Sequence, residues 1–157
     1  MSKFDELNSL VLKDAELLFQ NMEKAMRCAV NIVSHLSNYL EAPSNQVKLV
    51  QLSSDLSQRI KSEDKAKLVS KSNTEFHIGI EFSFSSSESN YFGGSVAHLT
   101  INTKGDSFII NILGENFTLS NLSYESSQAI NKHVYESIKQ DYEDSIKGEP
   151  RAKIGFL

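Results

Sequence analysis

A chain of 157 residues that is 39% hydrophobic and 23% charged has the composition of one globular domain and is too well supplied with apolar residues to stay disordered. Two prolines leave no room for a Pro-rich linker, and the single cysteine, Cys28, excludes an intramolecular disulfide and a cysteine-rich zinc site. A net charge of −4 argues against a protein that grips many phosphates, so nucleic acid is not an expected partner.

The amino terminus reads MSKFDELNSLVLKDAELL. Asp5, Glu6, Lys13, Asp14 and Glu16 interrupt its apolar residues, unlike the continuous apolar run of a signal peptide. No stretch approaches the ~20 apolar residues of a membrane span. A cytoplasmic location without membrane contact is the expectation.

Residues 3–40 read as one long helix. Phe4, Leu7, Val11, Leu18, Met22, Ala25, Ala29, Ile32, Leu36 and Tyr39 recur at three- and four-residue steps, with no Pro or Gly between them. Such a helix is about 55 Å long, more than a compact domain of this size spans, so part of its stripe is expected to meet a partner. Glu41-Ala42-Pro43 stops it, and Ser44 is placed to cap a second helix over 44–61, with Val47, Leu49, Val50, Leu52, Leu56 and Ile60 as its apolar face.

The period then shortens to two. Phe76, Ile78, Ile80, Phe82 and Phe84 alternate with polar residues, which predicts a strand with one buried and one wet face. Loop 85–90 follows, then a strand within 92–103 with Leu99 and Ile101 inward. A turn at Thr103–Asp106, a strand 108–113, a turn at Gly114–Asn116 and a short strand 117–119 complete an antiparallel meander. A helix over 123–147 carries Ile130, Val134, Ile138 and Tyr142 on one stripe and ends before Gly148 and Pro150. The predicted architecture is thus α+β: an N-terminal helical hairpin with one long helix, a four-stranded antiparallel meander, and a C-terminal helix packed on the sheet. The parts of this single domain are 1–72 (helical), 73–120 (sheet), 121–148 (helix) and 149–157 (tail).

No motif for catalysis or for a cofactor stands out. Pairing of the first two predicted strands brings His77 and His98 together, with Glu75 and Glu81 on the same face; two imidazoles and a carboxylate suit a metal, but the local spacings of zinc sites are missing, and no metal is expected. Cys28 reads as a small half-buried residue of the long helix, since a nucleophilic thiol needs a depressed pKa and a base. Arg59, Lys61, Lys65, Lys67 and Lys71 make a small basic patch, diluted by Glu63 and Asp64. The closing helix carries Glu136, Asp141, Glu143 and Asp144, an acidic face able to dock on a basic partner.

The reading that follows is a non-catalytic protein-binding protein of inhibitor, immunity or chaperone-like type, with no cofactor. Its expected partner is another protein or a second copy of itself. The residues expected to carry binding are Leu7, Val11, Leu18 and Met22 on the long helix and Glu136, Asp141, Glu143 and Asp144 on the last one. The alternatives are a homo-oligomeric module built on the long helix and an enzyme of unfamiliar type using the His77/His98 face.

Overall fold

Helix α1 (Lys3–Tyr39) opens on a reciprocal cap. The Asp5 amide donates to Ser2 Oγ at 3.1 Å, and the Ser2 amide donates to the Asp5 carboxylate at 3.2 Å. The Ser2 hydroxyl, which donates to the Asp5 carboxylate at 2.7 Å, and then the Ser2 amide hold the Asp5 carboxyl below its ordinary pKa. The helix ends at Leu40, where Glu41 takes a left-handed φ of 52° and Pro43 follows. The computed structural model describes residues 2–43, 45–60, 65–85, 92–149 and 155–156. The expected cap Ser44, most of the 85–90 loop, Lys61 and Pro150 lie outside them.

The expected second helix is instead a strand. Val47–Leu52 forms β1, and after a turn Arg59–Ile60 forms β2. The reason is that β1 is apolar on both faces. Val47 and Leu49 pair with Phe82 and Ile80 and face the core, while Val50 and Leu52 are buried on the opposite side. The adjacent pair Leu49–Val50 breaks the alternation and imitates helical spacing. Asp55 ties the turn through Ser53 and Ser57, and these bonds hold its carboxyl down at about 2. Leu56 occupies the left-handed region with φ 64°.

The remaining strands are β3 (Val69–Ser70), β4 (Glu75–Ser85), β5 (Phe92–Lys104), β6 (Ser107–Ile112), β7 (Glu115–Leu119) and β8 (Gly155–Phe156). The sheet is antiparallel and runs β2-β1-β4-β5-β6-β7; β3 adds to β4 and β8 to β5. The four-strand meander was therefore an undercount at the amino-terminal edge, and two residues of the expected tail join the sheet. Gly105 turns β5 into β6, and Leu113 with Gly114, both at positive φ, turns β6 into β7 one residue earlier than expected.

Phe76, Ile78, Ile80 and Phe82 are fully buried on one face of the sheet, as the alternation predicts; Phe84 is not, and packs edge-on against Tyr142 with ring centroids 5.9 Å apart. Leu99, Ile101, Ile110 and Ile112 continue that face. Both helices cover it. α1 contributes Ala25, Cys28, Ala29, Ile32 and Leu36, and α2 (Gln128–Ile146) contributes Ile130, Val134 and Ile138. One turn of 3-10 helix, Glu125–Ser127, leads into α2, and Ser127 Oγ lies 2.8 Å from His35 Nδ1 on α1.

Asn131 sits in this packing fully buried, and neither polar atom of its amide has a hydrogen-bond partner among the described residues. A buried amide without partners costs more than an apolar group of equal size. Replacing Asn131 with Leu is expected to stabilise the fold by about 1–2 kcal/mol, read as a higher denaturant midpoint at unchanged slope. A lower midpoint would show that the amide does useful work in the core.

Candidate partner-binding surface

Phe4, Leu7, Val11, Asp14, Leu18, Asn21, Ala25, Cys28 and Ile32 form one line along α1 at strict alternating three- and four-residue steps. From Leu18 onward the line packs on the protein's own core; Asn21, Ala25, Cys28 and Ile32 are buried. Its two polar members meet one residue of the turn before β4. Asn73 donates to the Asp14 carboxylate, and Asn21 Nδ2 donates to the Asn73 carbonyl at 2.7 Å. Asn73 thus marks the sheet edge that first reaches α1.

Beyond that edge the helix continues without cover from the described residues. Phe4 is 76% exposed, Leu7 61%, Leu10 61% and Val11 64%, and on the helix flank Phe19 is 71% exposed, with Leu12 and Leu17 also in water. Together these seven side chains expose roughly 800 Å², of which the sheet-side five make up roughly 550 Å², the size of the largest apolar patch on an ordinary monomer, ~300–600 Å². Burying that area is worth on the order of 20 kcal/mol before the costs of association. Of the residues expected to bind a partner, Leu7 and Val11 are free to do so. Leu18 and Met22 are not equally free, because both pack partly against their own core. Leu10, Leu12, Leu17 and Phe19 were missed because they flank the stripe; only their solvent exposure reveals them.

The acidic face of α2 is smaller than expected. Asp141 is only 2% exposed and points inward. Glu136 and Glu143 are at the surface, Glu143 lying 3.9 Å from Lys139, and Asp144 accepts a hydrogen bond from Gln140 at 2.7 Å. The basic patch is also reduced, since Arg59 is paired with Glu81 and Lys71 Nζ donates to the Ser54 carbonyl at 2.7 Å.

Two further places have site-like features. A cavity of about 570 Å³ opens where α1 ends, lined by Leu40, Pro43, Val47, Phe82, Phe84 and Ile138, with Lys139 and Glu41 at its polar side. On the sheet face opposite the helices, His77 and His98 do come together. His77 Nδ1 lies 2.7 Å from His98 Nε2 and 3.2 Å from Thr100 Oγ1, and His77 Nε2 lies 3.0 Å from the Glu75 carboxylate. If Glu75 accepts the Nε2 proton of His77, then His98 donates to His77 Nδ1, and the three form a chain of hydrogen bonds. Glu81, expected beside them, is engaged elsewhere: it is nearly buried against Arg59, with Lys48 Nζ at 3.7 Å. The outer face is therefore not simply wet, because His77, Glu81, Val50 and Leu52 are all buried on it. Among the described residues no group of three or more His, Cys, Asp or Glu side chains is placed to hold a metal. Cys28 is fully buried, and burial pushes its thiol up to about 12, far from a reactive thiolate.

Burial, and then the charge of His77, lower the pKa of His98. A base whose folded pKa is depressed stabilises the fold fully above its ordinary value, 6.5, and loses that contribution as pH falls below it. Stability is expected to decline between pH 7 and pH 5 with a slope that His98→Gln reduces. Equal slopes for the two proteins in denaturant melts across that range would contradict the assignment.

No protein-family model, curated protein or solved structure matches the chain. No helix among the described residues is long and apolar enough to cross a membrane.

Proposed function

We propose that this chain is a non-catalytic protein-binding protein, of inhibitor, immunity or chaperone-like type, and that the amino-terminal half of α1 is its docking element. One observation carries this reading: seven large apolar side chains between Phe4 and Phe19 stand in water on a capped, regular helix. A helix that presents an apolar face beyond its own domain suits docking into a groove or against another helix. The cap supports the same reading, because it fixes the helix end before any partner arrives and so lowers the ordering cost of binding. The small size and the net charge of −4 agree with a protein that acts by occupying another.

The test is affinity capture from the native host with the wild type and with a Leu12→Glu/Phe19→Glu variant. Both positions are exposed in the free chain, so the variant keeps its fold. The proposal expects the wild type to retain a protein in about equimolar amount and the variant to lose it. Identical sets of retained proteins would remove α1 as the docking element.

A further inference from the structure

The apolar face of the overhang has two parts that point in different directions. Leu12 and Phe19 lie on an outward flank. Phe4, Leu7 and Val11, with Leu10 and Leu17 beside them, continue the line by which α1 packs on its own sheet, so they face the layer that the sheet occupies further along. Whatever covers this second part must lie in that layer, end-on to the sheet, and stop at the Asn73 turn.

We propose that the cover is the same segment of a second copy, the two α1 helices running antiparallel about a two-fold axis near Ser9. This rests on the reading of α1 as a protein-binding element and names the occupant of its sheet-side stripe. The geometry closes in one orientation. Each helix fills the layer beneath the overhang of the other, and each sheet lies beyond the tip of the other helix. A parallel pair with the same stripes facing would drive the second sheet into the first domain. Both overhangs are residues 3–13, three turns and about 16 Å, and pairing about Ser9 sets residues 5–13 of each against the other.

The charges agree. On the sheet side of the overhang the charged residues are Lys3 and Asp14; Glu6 and Lys13 lie on its flank, and Asp5 and Glu16 on the far side. Antiparallel pairing that sets Leu7 opposite Val11 of the second copy places Lys3 against Asp14, twice by symmetry. Parallel pairing sets like against like. The Lys3 contact answers the one carboxylate in the apolar line. The five sheet-side residues of each copy expose about 1,100 Å² in all, an upper bound on the apolar area that the isologous interface buries and close to the ~1,200 Å² at the low end of specific interfaces. A reversible dimer with Kd on the order of micromolar is expected.

The test is sedimentation of the full chain from about 1 to about 200 μM, an interval chosen to bracket that Kd. The wild type should pass from a monomer of 17.6 kDa to a dimer. Leu7→Glu should remain monomeric at every concentration with an unchanged circular dichroism spectrum. Lys3→Glu should weaken the dimer about tenfold by setting an acid against Asp14. In mixtures under mild oxidation, Leu7→Cys and Val11→Cys variants should cross-link to each other and not to themselves. A wild type that is monomeric at 200 μM overturns the proposal, as does a dimer indifferent to Leu7→Glu. A monomeric chain that still loses a captured protein on Leu12→Glu/Phe19→Glu would sink the dimer alone and leave α1 as a docking element for a foreign protein.

Discussion

Ile80→Asp is expected to leave the protein unable to fold. Ile80 is fully buried in the middle of β4, with Leu49 on one side and Ala97 on the other in the ladder, and it faces both helices. A carboxylate there meets no cation and no free donor, and the cost of an unpaired buried charge is several kcal/mol. A domain of this size has only about 5–15 kcal/mol in hand. The next residue shows what a charge needs: Glu81 is almost as buried, but it faces the other way, against Arg59 and near Lys48. The check is expression and a thermal melt. A soluble Ile80→Asp protein with a cooperative transition would mean that the buried face of β4 is wrongly assigned.

Arg59→Met is expected to cost about 2–3 kcal/mol, a large effect for a residue on a two-residue edge strand. Arg59 is the near partner of the buried Glu81 carboxylate, and Lys48, half exposed at 3.7 Å, cannot replace it at contact distance. Removing one member of such a pair strands the other charge, whereas removing both removes the problem. The double variant Arg59→Met/Glu81→Leu should therefore recover most of the loss. Denaturation midpoints of the four proteins in a cycle measure the coupling. Losses that simply add would show that the two residues do not interact.

Much of the fold is legible in the sequence where one physical period holds. α1 keeps its helical stripe without Pro or Gly, and β4 keeps its alternation because one face packs on the helices. The stripe of Ile130, Val134 and Ile138 and the cap at Gly148, with φ 87°, also follow directly from local signals. The misreading of 44–61 has a specific cause. β1 is apolar on both faces because Gly79, its neighbour in β4, has no side chain: a Cβ there would lie 2.8 Å from Val50 and 3.1 Å from Leu52. Only the pairing partner explains why those two residues are apolar, and pairing is not a local property. For the same reason Asp141 looked like a surface acid, and His77 and Glu81 like members of a wet face. The exposed apolar face of α1 is half legible. Periodicity identified Leu7 and Val11, but the point at which the chain's own sheet stops covering α1 is set by Asn73, 59 residues from Asp14.

On the binding role proposed above, the sheet-side stripe of α1 is covered when the protein is at work. The most direct measurement is the alkylation rate of a Val11→Cys variant in living host cells against the purified protein diluted below 1 μM, with Lys24→Cys as a surface control. Cys28 stays silent, being fully buried with its thiol pushed up to about 12. Cys at position 11 is expected to react as fast as the control in dilute solution and about tenfold or more slowly in the cell. Equal rates at the two positions in the cell would show that the stripe stays bare, and the binding role argued from it would fall.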